Sequence, residues 1–99
     1  MNNYYTIDGL PSSAPTHVET IIQTRIDGVL VSTIFLGRDH RLYYGGGSPQ
    51  IFETMVFAND VVAAAELDEW CDRYPTIDQA RAGHEAAIRL VTRALGATS

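Results

Sequence analysis

The sequence predicts a small α+β domain, in which an antiparallel β-sheet from the N-terminal half is packed by two C-terminal antiparallel helices. Three observations support this prediction: alternating apolar residues before an Asp-Gly pair, a second alternating run at 51–57, and a long amphipathic stretch after Pro75. The 99 residues suffice for one domain, 1–99, with a modest core. Domains of this size often gain stability by forming oligomers.

The first two strands form a hairpin in the prediction. The alternation in HVETIIQTRI predicts a half-buried strand, whose inner face holds Val18, Thr20, Ile22, Thr24 and Ile26. Asp27 and Gly28 form the turn, because both positions accept a positive φ. The return run VLVSTIFLG is apolar on both faces, which predicts a central strand. Residues 1–16, rich in turn-forming residues, form either a flexible arm or a strand covering the sheet edge.

QIFETMVF predicts a third strand. One face holds Phe52, Thr54 and Val56, and the other holds Ile51, Glu53, Met55 and Phe57. Glu53 interrupts an apolar face, and a buried carboxylate usually pairs with an arginine or with backbone donors. We therefore favour a structural ion pair over a catalytic role for it. After a turn at 58–60, the segment 61–74 reads as a helix, or as a short strand followed by one.

The last helix has the clearest signals. Thr76 and Gln79 form a capping box, and Gly96 is a stop, so the helix spans Ile77 to Leu95. The apolar stripe that faces the core contains Ile77, Ala80, Ala87, Ile88, Val91, Ala94 and Leu95. His84 falls on this stripe and is expected to be a hydrogen-bonded core residue rather than a ligand group. Arg89 and Arg93 are like charges one turn apart, which favours a bound anion or carboxylate between them.

Composition limits the possible partners. The formal charge is −5, which argues against a long nucleic acid but permits a small anion. All seven basic residues are arginines, whose planar forks suit phosphate or aromatic stacking. No run approaches the roughly 18 apolar residues of a membrane span, and the N-terminus lacks the features of a signal peptide, so we expect a cytoplasmic protein. Cys71, the single cysteine, is expected to be a small buried hydrophobic residue rather than a reactive thiol.

The stretch RLYYGGGSPQ at 41–50 fits neither the phosphate-loop nor the dinucleotide template, and the chain contains no lysine. Its glycines let a ligand approach the backbone, with Tyr43 and Tyr44 able to stack on it; a flexible connection between strands is the alternative. His40 lies in RDHR, without the spacing of a metal site and without a nucleophile motif in the chain. We therefore expect no metal, no cofactor and no enzyme, although a hydrolase that uses His40 and Glu53 stays open.

Three strings resemble a family of small proteins common in bacteriophage genomes: STIFLGRDH at 32–40, IFETMVF at 51–57, and DRYPTIDQARAGHEAAIRLV at 72–91. The layout of a sheet followed by two helices, with arginines late in the last helix, also resembles the Thoeris anti-defence sponges. That resemblance implies a phage protein that sequesters cyclic ADP-ribose signals, or cyclic oligonucleotides, without cleaving them, in pockets between the subunits of a homo-oligomer.

The resemblance further implies an aromatic side chain stacked on adenine and arginines on the phosphates. Phe57 suits the first role, and Arg89 with Arg93 suits the second. His40, Tyr43 and Tyr44 are then expected at the rim of the pocket or at a subunit contact. The alternative is a small interaction protein that docks on a host protein through its exposed loop and acidic surface, with no small ligand.

Overall fold

The computed structural model of the protein describes residues 4–39 and 48–96. Four strands form one antiparallel sheet in the order β1-β2-β3-β4, with a helix packed against it, so the predicted α+β class is confirmed. The strands are β1 (Glu19–Ile26), β2 (Val29–Phe35), β3 (Phe52–Phe57) and β4 (Cys71–Tyr74). A 3₁₀ helix (Val62–Leu67) precedes β4, and the α-helix α1 (Ile77–Gly96) follows it.

The hairpin between β1 and β2 follows the prediction. Asp27 and Gly28 have φ values of 46° and 91°, the two positive values that a tight two-residue turn between antiparallel strands requires. β2 pairs with β1 on one side and β3 on the other, which confirms its central place in the sheet.

β1 contains a bulge that the alternation did not reveal. Ile22 lies opposite Thr33 on the sheet face toward α1, whereas Thr20 lies opposite Ile34 on the other face. The extra residue between them reverses the alternation of side chains. The prediction of one continuous inner face is therefore wrong at the start of the strand, and Val18, which precedes it, is 60% exposed.

The segment 61–74 differs most from the prediction. The turn at 58–60 is present, with Asn59 and Asp60 in left-handed conformations, and the first of the two expected helices is the six-residue 3₁₀ helix. The chain then returns to the free edge of β3. There Val56 donates a backbone hydrogen bond to Trp70 and accepts one from Glu69, and β4 continues the pairing. An unpaired strand edge supplies these backbone groups, so tertiary context adds a fourth strand that local sequence does not indicate.

α1 begins at the predicted residue, Ile77. The backbone N–H of Gln79 donates to the Thr76 hydroxyl at 3.1 Å, and that hydroxyl donates to the Gln79 side-chain oxygen at 3.1 Å. These bonds satisfy one of the free N–H groups of the first turn. The helix then extends to Gly96, one residue beyond the predicted end.

The core lies between α1 and one face of the sheet. One cluster forms around Val31, Val56 and Val91, and a second around Phe35 and Phe52, whose ring centroids are 5.5 Å apart. Each such buried side chain contributes about 1.5–3 kcal/mol through removal from water. The 3₁₀ helix joins the first cluster through buried Ala64 and half-buried Leu67, so both helices pack on the same face of the sheet.

The N-terminal lead folds back on the chain just after β2. Tyr5 donates its backbone N–H to Gly37 at 3.0 Å, and its side chain packs against the second core cluster. The Thr16 hydroxyl also donates to the Gly37 carbonyl. The described part of the lead is therefore tied down rather than free. None of the helices in the described ranges is both long and apolar enough to cross a membrane.

Candidate functional site

The face of the sheet turned away from α1 carries no helix of the described chain. We call it the open face. Its side chains are those of Thr20, Gln23 and Arg25 on β1, Leu30, Ser32 and Ile34 on β2, Glu53, Met55 and Phe57 on β3, and Cys71 and Arg73 on β4. It mixes apolar, aromatic and charged groups.

An ion pair lies at one end of the open face. Arg73 lies directly opposite Glu53 in the β3–β4 ladder, and its Nε donates to Glu53 Oε2 at 2.9 Å. The Glu53 side chain is only 11% exposed, and that of Arg73 is 40% exposed. The expectation that Glu53 pairs with an arginine is confirmed. This carboxylate is already committed to a partner, which weakens the case for a general base there.

Phe57 lies at the opposite end of β3, 36% exposed. The register aligns Phe57 with Leu30, and Leu30 with Arg25, in one row across three strands. Neighbouring strands are about 4.8 Å apart, so the α-carbons of Phe57 and Arg25 are separated by roughly 10 Å. Arg25 has no ion-pair partner within 4.0 Å among the residues the structure describes. An aromatic ring and a guanidinium thus flank an apolar side chain on one surface.

A concavity of about 210 Å³ lies between these two ends. Its lining consists of Ser32, Ile34, Glu53, Met55 and Phe57. Cys71 lies beside Met55 on the edge strand and is exposed, so the expectation of a buried cysteine is wrong. The reason is the extra strand: a residue that a helix would have turned inward lies on the open side of β4.

Arg89 and Arg93 lie on the other side of the sheet from Phe57. Both are exposed on α1, which packs against the face formed by Val31 and Val56. Within one chain, these arginines and Phe57 therefore do not share a pocket. Arg93 instead borders a second, larger cleft of about 730 Å³ between α1 and the 3₁₀ helix. Arg89 is not part of its lining.

The remaining predicted site residues, His40, Tyr43 and Tyr44, lie outside the described residues, as does the glycine run between 45 and 47. The prediction that they form a pocket rim stays a prediction.

Sequence reasoning missed Arg25 and Arg73 as site residues. Arg25 was detectable, because the Asp-Gly turn fixes its register with Leu30 and the alternation puts it on the outer face. Arg73 was not detectable, because the sequence of residues 71–74 predicts a helix and not a strand of the sheet.

His84 fulfils the expectation of a core histidine. It is fully buried, with Nδ1 2.7 Å from the Thr33 hydroxyl and Nε2 2.9 Å from the Thr24 hydroxyl. The Thr33 hydroxyl in turn lies 2.6 Å from that of Thr54. Burial lowers the pKa of His84, and the nearby Glu85 carboxylate offsets this only in part. Burial thus favours the neutral ring, which is bonded on both nitrogens and shielded from solvent, so it serves structure rather than ligand binding.

In the described ranges, no three His, Cys, Asp or Glu side chains are grouped so that they could hold a metal ion. No protein-family model, no curated protein sequence and no solved structure matches this chain.

Proposed function

We propose that this protein binds a small nucleotide signal on the open face of its sheet and holds it without cleaving it. The observation that supports the proposal is the row of Phe57, Leu30 and Arg25 across three strands. A base stacks on the Phe57 ring, its ribose lies over Leu30, and its phosphate meets the forked donors of Arg25. The ligand class, a cyclic ADP-ribose isomer or a cyclic oligonucleotide, follows from the resemblance to the anti-defence sponges.

Sequestration needs affinity and no reaction, which suits this surface. Its carboxylate, Glu53, is bonded to Arg73, whose other guanidinium N–H groups have no partner among the described residues and can donate to a second phosphate. The overall charge of −5 does not prevent anion binding, because exposed charges more than about 10 Å away are screened by salt. In this proposal Arg25 and Arg73 bind the phosphates, in place of Arg89 and Arg93, which were predicted from the sequence. The protein acts in the cytoplasm of the infected host.

Binding of cyclic ADP-ribose to the purified protein, measured by isothermal titration calorimetry, tests the proposal. Phe57→Ala is expected to weaken binding about tenfold or more, because stacking of a base on an aromatic ring is worth about 1–3 kcal/mol. Phe57→Tyr keeps the ring and is expected to keep the affinity. Arg25→Gln is expected to weaken binding similarly, whereas Arg81→Gln, the same charge change on exposed α1, leaves it unchanged.

The fate of the ligand distinguishes the remaining classes. Denaturation of the complex should release the cyclic nucleotide intact, as judged by mass spectrometry. A linear product would instead indicate a hydrolase. If no nucleotide binds and a host protein is recovered from lysate in stoichiometric amount, the alternative of a protein-docking function replaces this one.

A further inference from the structure

We infer that the cleft between the 3₁₀ helix and α1 is the interface of a two-fold symmetric dimer of this chain. The cleft is lined from the 3₁₀ helix by Val62, Ala63, Glu66 and Leu67, and from α1 by Leu90, Arg93 and Ala94. Five of these seven side chains are apolar, and the two charged ones have opposite signs. The inference concerns a different surface from the open face and does not depend on the ligand proposal.

Val62 is the first reason to expect a partner. Its side chain is 88% exposed, the highest value among the large hydrophobic side chains of residues 4–39 and 48–96. It stands between the large cleft and a smaller concavity of about 310 Å³ on the other side of the 3₁₀ helix. In a symmetric pair, the protruding Val62 side chain of each copy can insert into the apolar cleft of the other copy, so both apolar surfaces are covered at once.

Charge complementarity between the two walls points to another copy of the chain as the partner. Glu66 lies on one wall of the cleft and Arg93 on the other, and neither has an ion-pair partner within 4.0 Å in the described part of the chain. A two-fold axis that runs along the cleft places the 3₁₀ helix of one copy opposite α1 of the other. Glu66 of each copy then meets Arg93 of the other, which gives two equivalent ion pairs.

The same rotation places Val62 over Leu90 and Ala94 of the second copy. The small alanine side chains leave room for it, so apolar contact and charge pairing are satisfied by one arrangement. The cleft itself carries one positive and one negative residue, and the net negative charge elsewhere on each copy acts through screened solvent. An apolar core with charges at its rim is the usual anatomy of a protein interface.

Sedimentation velocity over a range of protein concentrations, supported by native mass spectrometry, tests this inference. The unmodified protein is expected to dimerise, and Glu66→Arg or Arg93→Glu to raise the dissociation constant about tenfold or more, because each brings like charges together twice. The double variant Glu66→Arg/Arg93→Glu reverses both signs and is expected to restore the dimer. Restoration by charge exchange is specific to a contact between these two residues.

Matched controls are available on the same helix. Arg81→Glu and Glu85→Arg make the same charge changes at exposed positions outside the cleft and are expected to leave the dissociation constant within about twofold. Val62→Arg provides a test that does not depend on the ion pairs. Its side chain is almost fully exposed in the monomer, so the variant folds, and it is expected to be monomeric.

Three results would overturn the inference: a monomer at every concentration, a dimer that Val62→Arg leaves intact, or a double variant that stays monomeric. A monomer that binds a different protein through Val62 would assign the cleft to that partner instead. Nucleotide affinity measured on the same samples reports separately on the open face.

Discussion

His84 makes the stability of the fold depend on pH. The Thr24 and Thr33 hydroxyls hold the neutral ring in the core, and burial lowers the pKa of His84 below its ordinary value of about 6.5. As pH falls below that value, the unfolded chain takes up a proton that the folded chain resists, so the free energy of unfolding decreases until the folded pKa is reached. Above about pH 6.5, this histidine contributes its full stabilisation.

Urea unfolding of the protein between about pH 7.5 and pH 5 checks this expectation. His84→Gln is expected to flatten the pH dependence in that window, while His17→Gln, at an exposed position, should leave it as it is. NMR titration of the imidazole provides an independent readout. A His84 that titrates at or above the ordinary pKa of histidine would contradict the structure.

At the scale of elements, α1 and β4 pack closely against each other where Gly83 meets Tyr74. A Cβ built on Gly83 would lie 2.1 Å from the ring and hydroxyl of Tyr74, so the absence of a side chain allows the tyrosine to pack on the helix. Burial raises the pKa of Tyr74, and a hydrogen bond with Thr54 partly offsets that rise. The tyrosine thereby links the last strand to both the helix and the threonines of the core.

Gly83→Ala is therefore expected to destabilise the protein despite the better helix propensity of alanine. Propensity favours the substitution by about 1 kcal/mol, but overpacking costs about 1–3 kcal/mol, and Tyr74 must leave its site. Removing the ring should reverse the sign: in a Tyr74→Ala background, Gly83→Ala is expected to stabilise. Thermal unfolding of the four proteins measures this cycle, and a stabilising effect of Gly83→Ala in both backgrounds would argue against the packing described.

The elements that the sequence predicted well are those with a local cause. The Asp-Gly turn, the cap at Thr76 and the alternation of β3 each depend on neighbours in sequence, and all three are present. β4 depends on hydrogen bonds to β3 that no local pattern encodes. The same distinction applies to the candidate site. Phe57 was predicted from the pattern of its own strand, whereas Arg73 lies on the open face because it belongs to β4, which the sequence did not predict.

At the scale of the whole molecule, the two candidate surfaces lie on opposite sides of the sheet. The open face binds the nucleotide in our proposal, and the cleft beside α1 joins two copies. We therefore expect the two equilibria to be independent. Val62→Arg should abolish the dimer and leave the nucleotide dissociation constant within about twofold. Phe57→Ala should weaken nucleotide binding and leave the dimer dissociation constant within about twofold.

Native mass spectrometry with and without cyclic ADP-ribose measures both equilibria in one experiment. If Val62→Arg also abolishes nucleotide binding, the ligand lies between subunits, as the resemblance to the sponge family implies. In that case the cleft beside α1, which Arg93 lines, rather than the open face around Phe57, becomes the candidate site for the ligand.

The bulge in β1 has a further consequence, for the fate of the protein at high concentration. β1 is an eight-residue edge strand, long enough to template the addition of further strands from other molecules. The side-chain alternation of β1 reverses at the bulge. A regular strand from another molecule that paired in register with the first residues of β1 would therefore be out of register with the faces of its last residues. The opposite edge, β4, has only four residues, with Asp72 and Arg73 exposed. We therefore expect both edges to resist the addition of strands from other molecules, and deletion of Ile21 to restore a regular edge on the long side.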